Sequence, residues 1–469
     1  MAGIGFNLQK ILEQESFGST LKAHFYSTLI VAGPWLMSIL TIVCLGYFIT
    51  YRIDVFDLIF FRTVIIYIFA FSLIVVGFFH FPLTRYLSDK LYTKEYESLI
   101  PTFITACGGL LSVQALMGII FYVIIPGKPF LKVLTVFIYM TISLIWILMV
   151  FLTALRDYRA IVVSYGIGTL IAIVTAWYFG QNLGLEGYFL GYLLGHLTIV
   201  ILWSARIFIE FNSTRGFDAD FFPFMLQNKT LVFIGLFYNL AIWIDKIVLW
   251  LSPQATKITA ILRNHPIYDS AVFFAFLTII PALSLFLIQI ETEFYRNYRR
   301  FYLGIINKAT YSQIEILKKE LLENIRASVM ILLRYQGLIS LAAIVFAPQL
   351  AELLKFSAVQ IPVFRIATLG AFLHSLLLMT IIIILYFDLQ KEALMVTGLF
   401  VATNALLTFV TTRLDISFLG YGYLTSTLIS LAAAFYLLDN RLRSLEYLTF
   451  ARQPIGVHRE EGIGEIILY

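Results

Sequence analysis

A chain of 469 residues that is 60% hydrophobic and 13% charged, with a mean hydropathy of +0.88, excludes a large soluble domain and reads as a polytopic membrane protein. A net charge of +5 is too small at this length to suggest a nucleic-acid partner. Cys44 and Cys107 both lie in apolar runs and form no redox or metal motif.

Residues 1–22 pattern as an amphipathic interfacial helix, with Ile4, Leu8, Ile11 and Leu12 on one side and Gln9, Glu13 and Gln14 on the other. No small-residue cleavage site precedes the first long apolar run, so the start reads as retained. Runs long enough to cross a bilayer follow at roughly 23–49, 60–83, 102–125, 131–154, 161–180, 187–209, 229–251, 268–290, 327–347, 363–386, 392–411 and 419–438. These twelve spans predict an all-α membrane protein of two six-helix lobes, residues 23–210 and 229–438, with a linker at 211–228 and a tail at 439–469. Loops on one side carry about 22 Lys and Arg against about 8 on the other, which predicts both termini in the cytoplasm.

Gly33 and Pro34 lie in the first span, where proline removes a backbone hydrogen bond; the bend it makes is a hinge or a static kink. The two halves share the tetrapeptide FLGY at 189–192 and 418–421, with similar helix order around it, which predicts a duplicated unit in parallel orientation. Small residues recur every four positions in the last span of each half: Gly187, Gly191 and Gly195, then Gly422, Ser426, Ser430 and Ala434. They predict close helix packing.

The stretch from Lys229 to Trp250 is apolar enough to span, yet holds Asn239, Asp245 and Lys246. With Tyr238 these residues form one polar stripe, expected to line a cavity between lobes. The alternative is that Lys246 snorkels to the outer headgroups with Asp245 as its partner, since both lie about 24 Å along the helix from Lys229. As sequence neighbours the two point about 100° apart and need not pair. The other polar groups within the spans are uncharged or basic: Gln114, His196, His374 and Asn404, with Arg334 nearer the cytoplasmic side. Each is a substrate contact or a satisfied interhelical hydrogen bond.

The longest cytoplasmic segment, 291–326, is amphipathic, and Arg296, Arg299, Arg300, Lys318 and Lys319 offer a docking surface for anionic lipid or a cytoplasmic partner. No phosphate loop, zinc motif or nucleophile elbow occurs, so nothing suggests catalysis, a metal or a cofactor. The first six spans hold no carboxylate near mid-membrane and thus little to bind a coupling cation, while Tyr and Trp faces with amides suit neutral sugars.

MAGIGF at the start, AGPW at 32–35, RYLSDKLY from Arg85, YNLAIWIDK from Tyr238 and IETEFYRNYRRFY from Ile290 together resemble the PelG family of exopolysaccharide transporters, over nearly the whole chain. That family belongs to the MOP superfamily, with MATE exporters and polysaccharide flippases. The resemblance implies two six-helix lobes around a central cavity in the bacterial inner membrane. It also implies export of a polymer rich in N-acetylgalactosamine for the biofilm matrix, with a PelF-like cytoplasmic glycosyltransferase and PelD-like and PelE-like membrane partners. Three other classes stay open: a cation-coupled small-molecule exporter, a lipid-linked oligosaccharide flippase, and a non-transporting scaffold of a synthase.

Overall fold

The computed structural model describes residues 54–155, 158–211 and 216–451, together with Gly18, Ser27, Thr28, Ile39 and 41–46. The expected interfacial helix at 1–22, most of the first span and the expected hinge at Gly33 and Pro34 lie outside the described residues. The described residues are mainly helical, and eleven helices among them are long and apolar enough to cross a membrane. Two compact units divide it, one within Ala32–Pro266 and one from Ile267 onward.

In the first unit, α1 (Val55–Tyr92), α2 (Leu99–Ile124), α3 (Pro129–Leu155), α4 (Tyr158–Leu183) and α5 (Leu185–Glu210) match five of the expected spans. At 38 residues α1 is about 57 Å long and outruns a hydrocarbon core of about 30 Å. The short α6 (Phe221–Gln227) leads into α7 (Lys229–Trp250). A core of Phe61, Val64, Ile65, Ile138, Phe189 and Tyr192 is closed by Leu262, from a two-stranded hairpin of β1 (Thr256–Lys257) and β2 (Arg263–Asn264).

The position of α7 departs from the expected boundary at residue 229. Although six spans precede it, α7 packs within the first unit, along α1. The cause is local: a Cβ on Gly235 would lie 2.2 Å from the Gly77 carbonyl oxygen, so the two backbones touch where neither residue has a side chain.

The second unit begins with α8 (Pro266–Leu277) and α9 (Ile280–Gln289), separated by a break before Pro281. A five-residue π-helical segment, Ile290–Phe294, joins α9 to α10 (Tyr295–Ile306). Then come α11 (Tyr311–Val345), α12 (Ala347–Leu354), α13 (Gln360–Tyr386), α14 (Gln390–Thr411), α15 (Tyr421–Arg443) and α16 (Leu445–Ala451). The expected amphipathic segment 291–326 is a helical hairpin made by α10 and the first half of α11. Thr310 and Gln313 begin its second arm with a reciprocal capping box.

The small-residue stripes behave as expected, α5 closing on α4 and α15 on α14; a Cβ on Gly191 would lie 2.2 Å from the Ala176 nitrogen. The shared FLGY does not mark a common register. Phe189 and Tyr192 are buried inside a helix, whereas Phe418 and Tyr421 are exposed around the left-handed Gly420 that precedes α15. The tail also differs from expectation, because α15 and α16 carry folded structure to Ala451.

Candidate functional site

Along α7 the expected polar stripe resolves into an interhelical tie and an ion pair. Asn239 donates its amide to the Leu73 carbonyl of α1 at 2.9 Å, next to the glycine crossing, so it fastens two helices. Tyr238 is half-buried. Asp245 is fully buried, and the Lys246 ammonium lies 3.1 Å from its carboxylate and 3.0 Å from the Ile242 carbonyl. The two neighbours therefore do pair. Their Cα–Cβ bonds diverge, but the four-carbon lysine stem folds back along the helix, its ammonium 5.5 Å from the Trp243 ring centroid. With its side chain 10% exposed, Lys246 does not snorkel.

Aromatic rings surround this end of α7. Trp250 stacks on Tyr67 at 4.4 Å, and the Tyr67 hydroxyl donates to the Arg263 carbonyl of the β-hairpin at 2.8 Å. The Asn264 amide donates to Thr63 at 3.2 Å. These contacts fix the loop after α7 against α1.

Two of the remaining candidates, His196 and Gln114, lie in the same unit as the pair. His196 is buried on α5, its Nδ1 2.8 Å from the Tyr192 carbonyl of its own helix. Gln114 is fully buried on α2, and among the described residues neither its amide oxygen nor its nitrogen has a partner. An unsatisfied buried amide costs about 1–3 kcal/mol. We therefore expect Gln114→Leu to raise the thermal midpoint of the purified protein; a lowered midpoint would mean that the amide is satisfied in the folded state.

In the second unit, His374 sits among the rings of Phe276, Phe400 and Tyr423 at 5.4–6.2 Å. Asn404 accepts from Thr408 one turn along α14. Arg334 is exposed on α11, on the side away from the buried Leu332 and Gln336. Of the expected docking residues, Arg296, Arg299 and Arg300 are exposed on α10, opposite Tyr298, Phe301 and Tyr302. Arg300 pairs with Glu320 at 3.0 Å, and Lys319, 77% exposed, lies 4.0 Å from Glu323. Lys318 is taken instead by the tail, with Glu446 of α16 at 2.5 Å and the Arg443 carbonyl at 3.2 Å.

Three polar anchors escape a reading by span. Asp218, in the linker, accepts from the Tyr86 and Thr102 hydroxyls at 2.8 and 2.6 Å and from the Asp220 N–H at 3.0 Å. The D-x-D spelling of this Asx turn was its visible signal. Nearby, the hydrogen bond from Lys90 holds the Glu95 carboxyl below its usual range. Gln336 donates to the Thr278 carbonyl at 2.8 Å, in the break before Pro281, where proline supplies no N–H. Glu392 is buried at the start of α14 against Arg441 of α15 at 2.5 Å.

The fold is that of known transporters. An outward-facing MATE multidrug-resistance transporter of the MOP superfamily aligns with a TM-score of 0.61 at 13% identity, over 91% of this chain and 96% of its own. A MOP superfamily transporter from Pyrococcus furiosus, described as having a binding pocket of reversed polarity, aligns at 0.60 and 12% identity, over 91% and 96%. A variant of the Vibrio cholerae MATE transporter VcmN aligns at 0.63 and 13% identity, over 94% and 98%. No curated protein matches the sequence. The family model described as "PelG: Putative exopolysaccharide Exporter (EPS-E)" matches residues 1–450, and the chain belongs to that family.

Proposed function

We propose that this protein passes a nascent, largely neutral amino-sugar polymer, Pel-like and rich in N-acetylgalactosamine, across the bacterial cytoplasmic membrane for matrix formation. Both termini lie in the cytoplasm in this reading, where a PelF-like glycosyltransferase elongates the chain and PelD-like and PelE-like proteins hold the assembly together. Family membership over residues 1–450 carries the proposal. The interior supports it: among the described residues, Asp245 and Glu392 are the buried carboxylates of the candidate spans, and each is matched by a cation within its own unit. A carboxylate already neutralised this way is a poor seat for a coupling proton or sodium ion.

Elongation then supplies the drive. In vesicles holding the transporter with its synthase and nucleotide sugar, polymer should continue to appear in the lumen after an ionophore collapses the proton and sodium gradients. Transport that stops with the ionophore, yet runs without the synthase, would identify a cation-coupled exporter instead.

A further inference from the structure

The outward face of α11 carries a cation inside its apolar run. That run covers 327–347, and Arg334 lies seven residues within it, so its Cα is about 10 Å inside the end of the apolar stretch. Leu332 and Gln336 pack inward, and at 3.6 residues per turn Arg334 stands about 160° from both. Around it Met330, Leu333, Tyr335, Leu338 and Leu341 are 45, 42, 58, 66 and 57% exposed. The position is not an edge effect of the fold, because Arg334 is at the centre of this exposed arc.

Such an arginine needs an anion. Among the described residues neither Arg334 nor Arg326 has a hydrogen-bond or ion-pair partner. Glu320 and Glu323, the carboxylates of α11 nearest to Arg326, are occupied by Arg300 and Lys319. Arg326 is also exposed, about 12 Å along the helix from Arg334 and about 80° round it, at the end of the apolar run next to the hairpin. A guanidinium below the headgroups reaches back toward them, and its fork of N–H donors fits two phosphate oxygens at once. The apolar side chains beside it suit acyl chains.

We propose that Arg326 and Arg334 together hold the phosphate of one phospholipid, in the leaflet next to the hairpin, with its acyl chains along Met330, Leu338 and Leu341. The site lies on the surface of one unit and does not depend on what is exported. It makes α11, the root of the hairpin, a lipid-anchored element.

Native mass spectrometry of the full-length protein, titrated with phosphatidylglycerol or with uncharged diacylglycerol of the same chains, tests this directly. Retained phosphatidylglycerol should fall at least about fivefold in Arg326→Gln/Arg334→Gln, corresponding to loss of charge-assisted hydrogen bonds, with diacylglycerol retention unchanged. Equal phosphatidylglycerol retention in the wild type and the variant would overturn the site. If the double variant does not accumulate, Arg334→Lys is read in its place, since it keeps the charge and loses the fork; unchanged retention there also overturns the proposal. As a second readout, Arg334→Cys in a Cys44→Ser/Cys107→Ala background should resist a charged maleimide, because a thiol among acyl chains is neither reached by water nor ionised. Labelling by the charged reagent, blocked when polymer is in transit, would place position 334 on an aqueous sugar path and refute the lipid assignment.

Discussion

Asp245→Asn should lower the amount of folded protein rather than arrest transport by intact molecules. The carboxylate is fully buried with Lys246 at 3.1 Å, so the amide leaves an ammonium in low dielectric with its compensating charge removed. Breaking one side of a buried pair costs about 3–5 kcal/mol. Lys246→Gln should be equally harmful, because it strands the carboxylate. The double variant Asp245→Asn/Lys246→Gln removes both charges at nearly constant volume and should recover much of the loss. Thermal midpoints by fluorescence-detected gel filtration, set beside export per folded molecule, separate the cases. Normal accumulation of Asp245→Asn with export abolished would return this residue to the translocation path.

Gly235→Val should destabilise the first unit by forcing α1 and α7 apart. A Cβ there would stand 2.2 Å from the Gly77 carbonyl oxygen, a backbone atom that can withdraw only if α1 and α7 separate. Overpacking of this kind costs about 1–3 kcal/mol. Separation would also stretch the 2.9 Å bond from Asn239 to Leu73, worth about 1 kcal/mol more. Gly108→Ala is the matching control, since nothing lies within 4 Å of its added Cβ and alanine favours helix by about 0.5–1 kcal/mol. A thermal midpoint for Gly235→Val within a degree of the wild type would show that the two helices do not meet here.

The spans were legible because a 20-residue apolar run has few other uses, and hydropathy alone located the helices among the described residues. Unit membership was not legible for α7. Counting six spans per lobe assigns it to the second unit, whereas Gly77 and Gly235 bring it to the first, and nothing in the sequence says which glycine faces which. The candidate site was half legible. Asn239, Asp245 and Lys246 stood out as polar groups in an apolar run, but the side-chain torsions that fold Lys246 back onto Asp245 leave no mark on the sequence. Lys318 looked as available as Lys319 until the tail helix brought Glu446 to it.

The π-helical segment Ile290–Phe294 sits where the apolar part of a helical rod gives way to the hairpin arm. A wide turn holds one residue more than an α-turn, so it throws everything beyond it out of phase by about 100°. The joint thus sets a heading: residues beyond Phe294 face about 100° away from where one unbroken α-helix would point them, which fixes the side the hairpin arm presents.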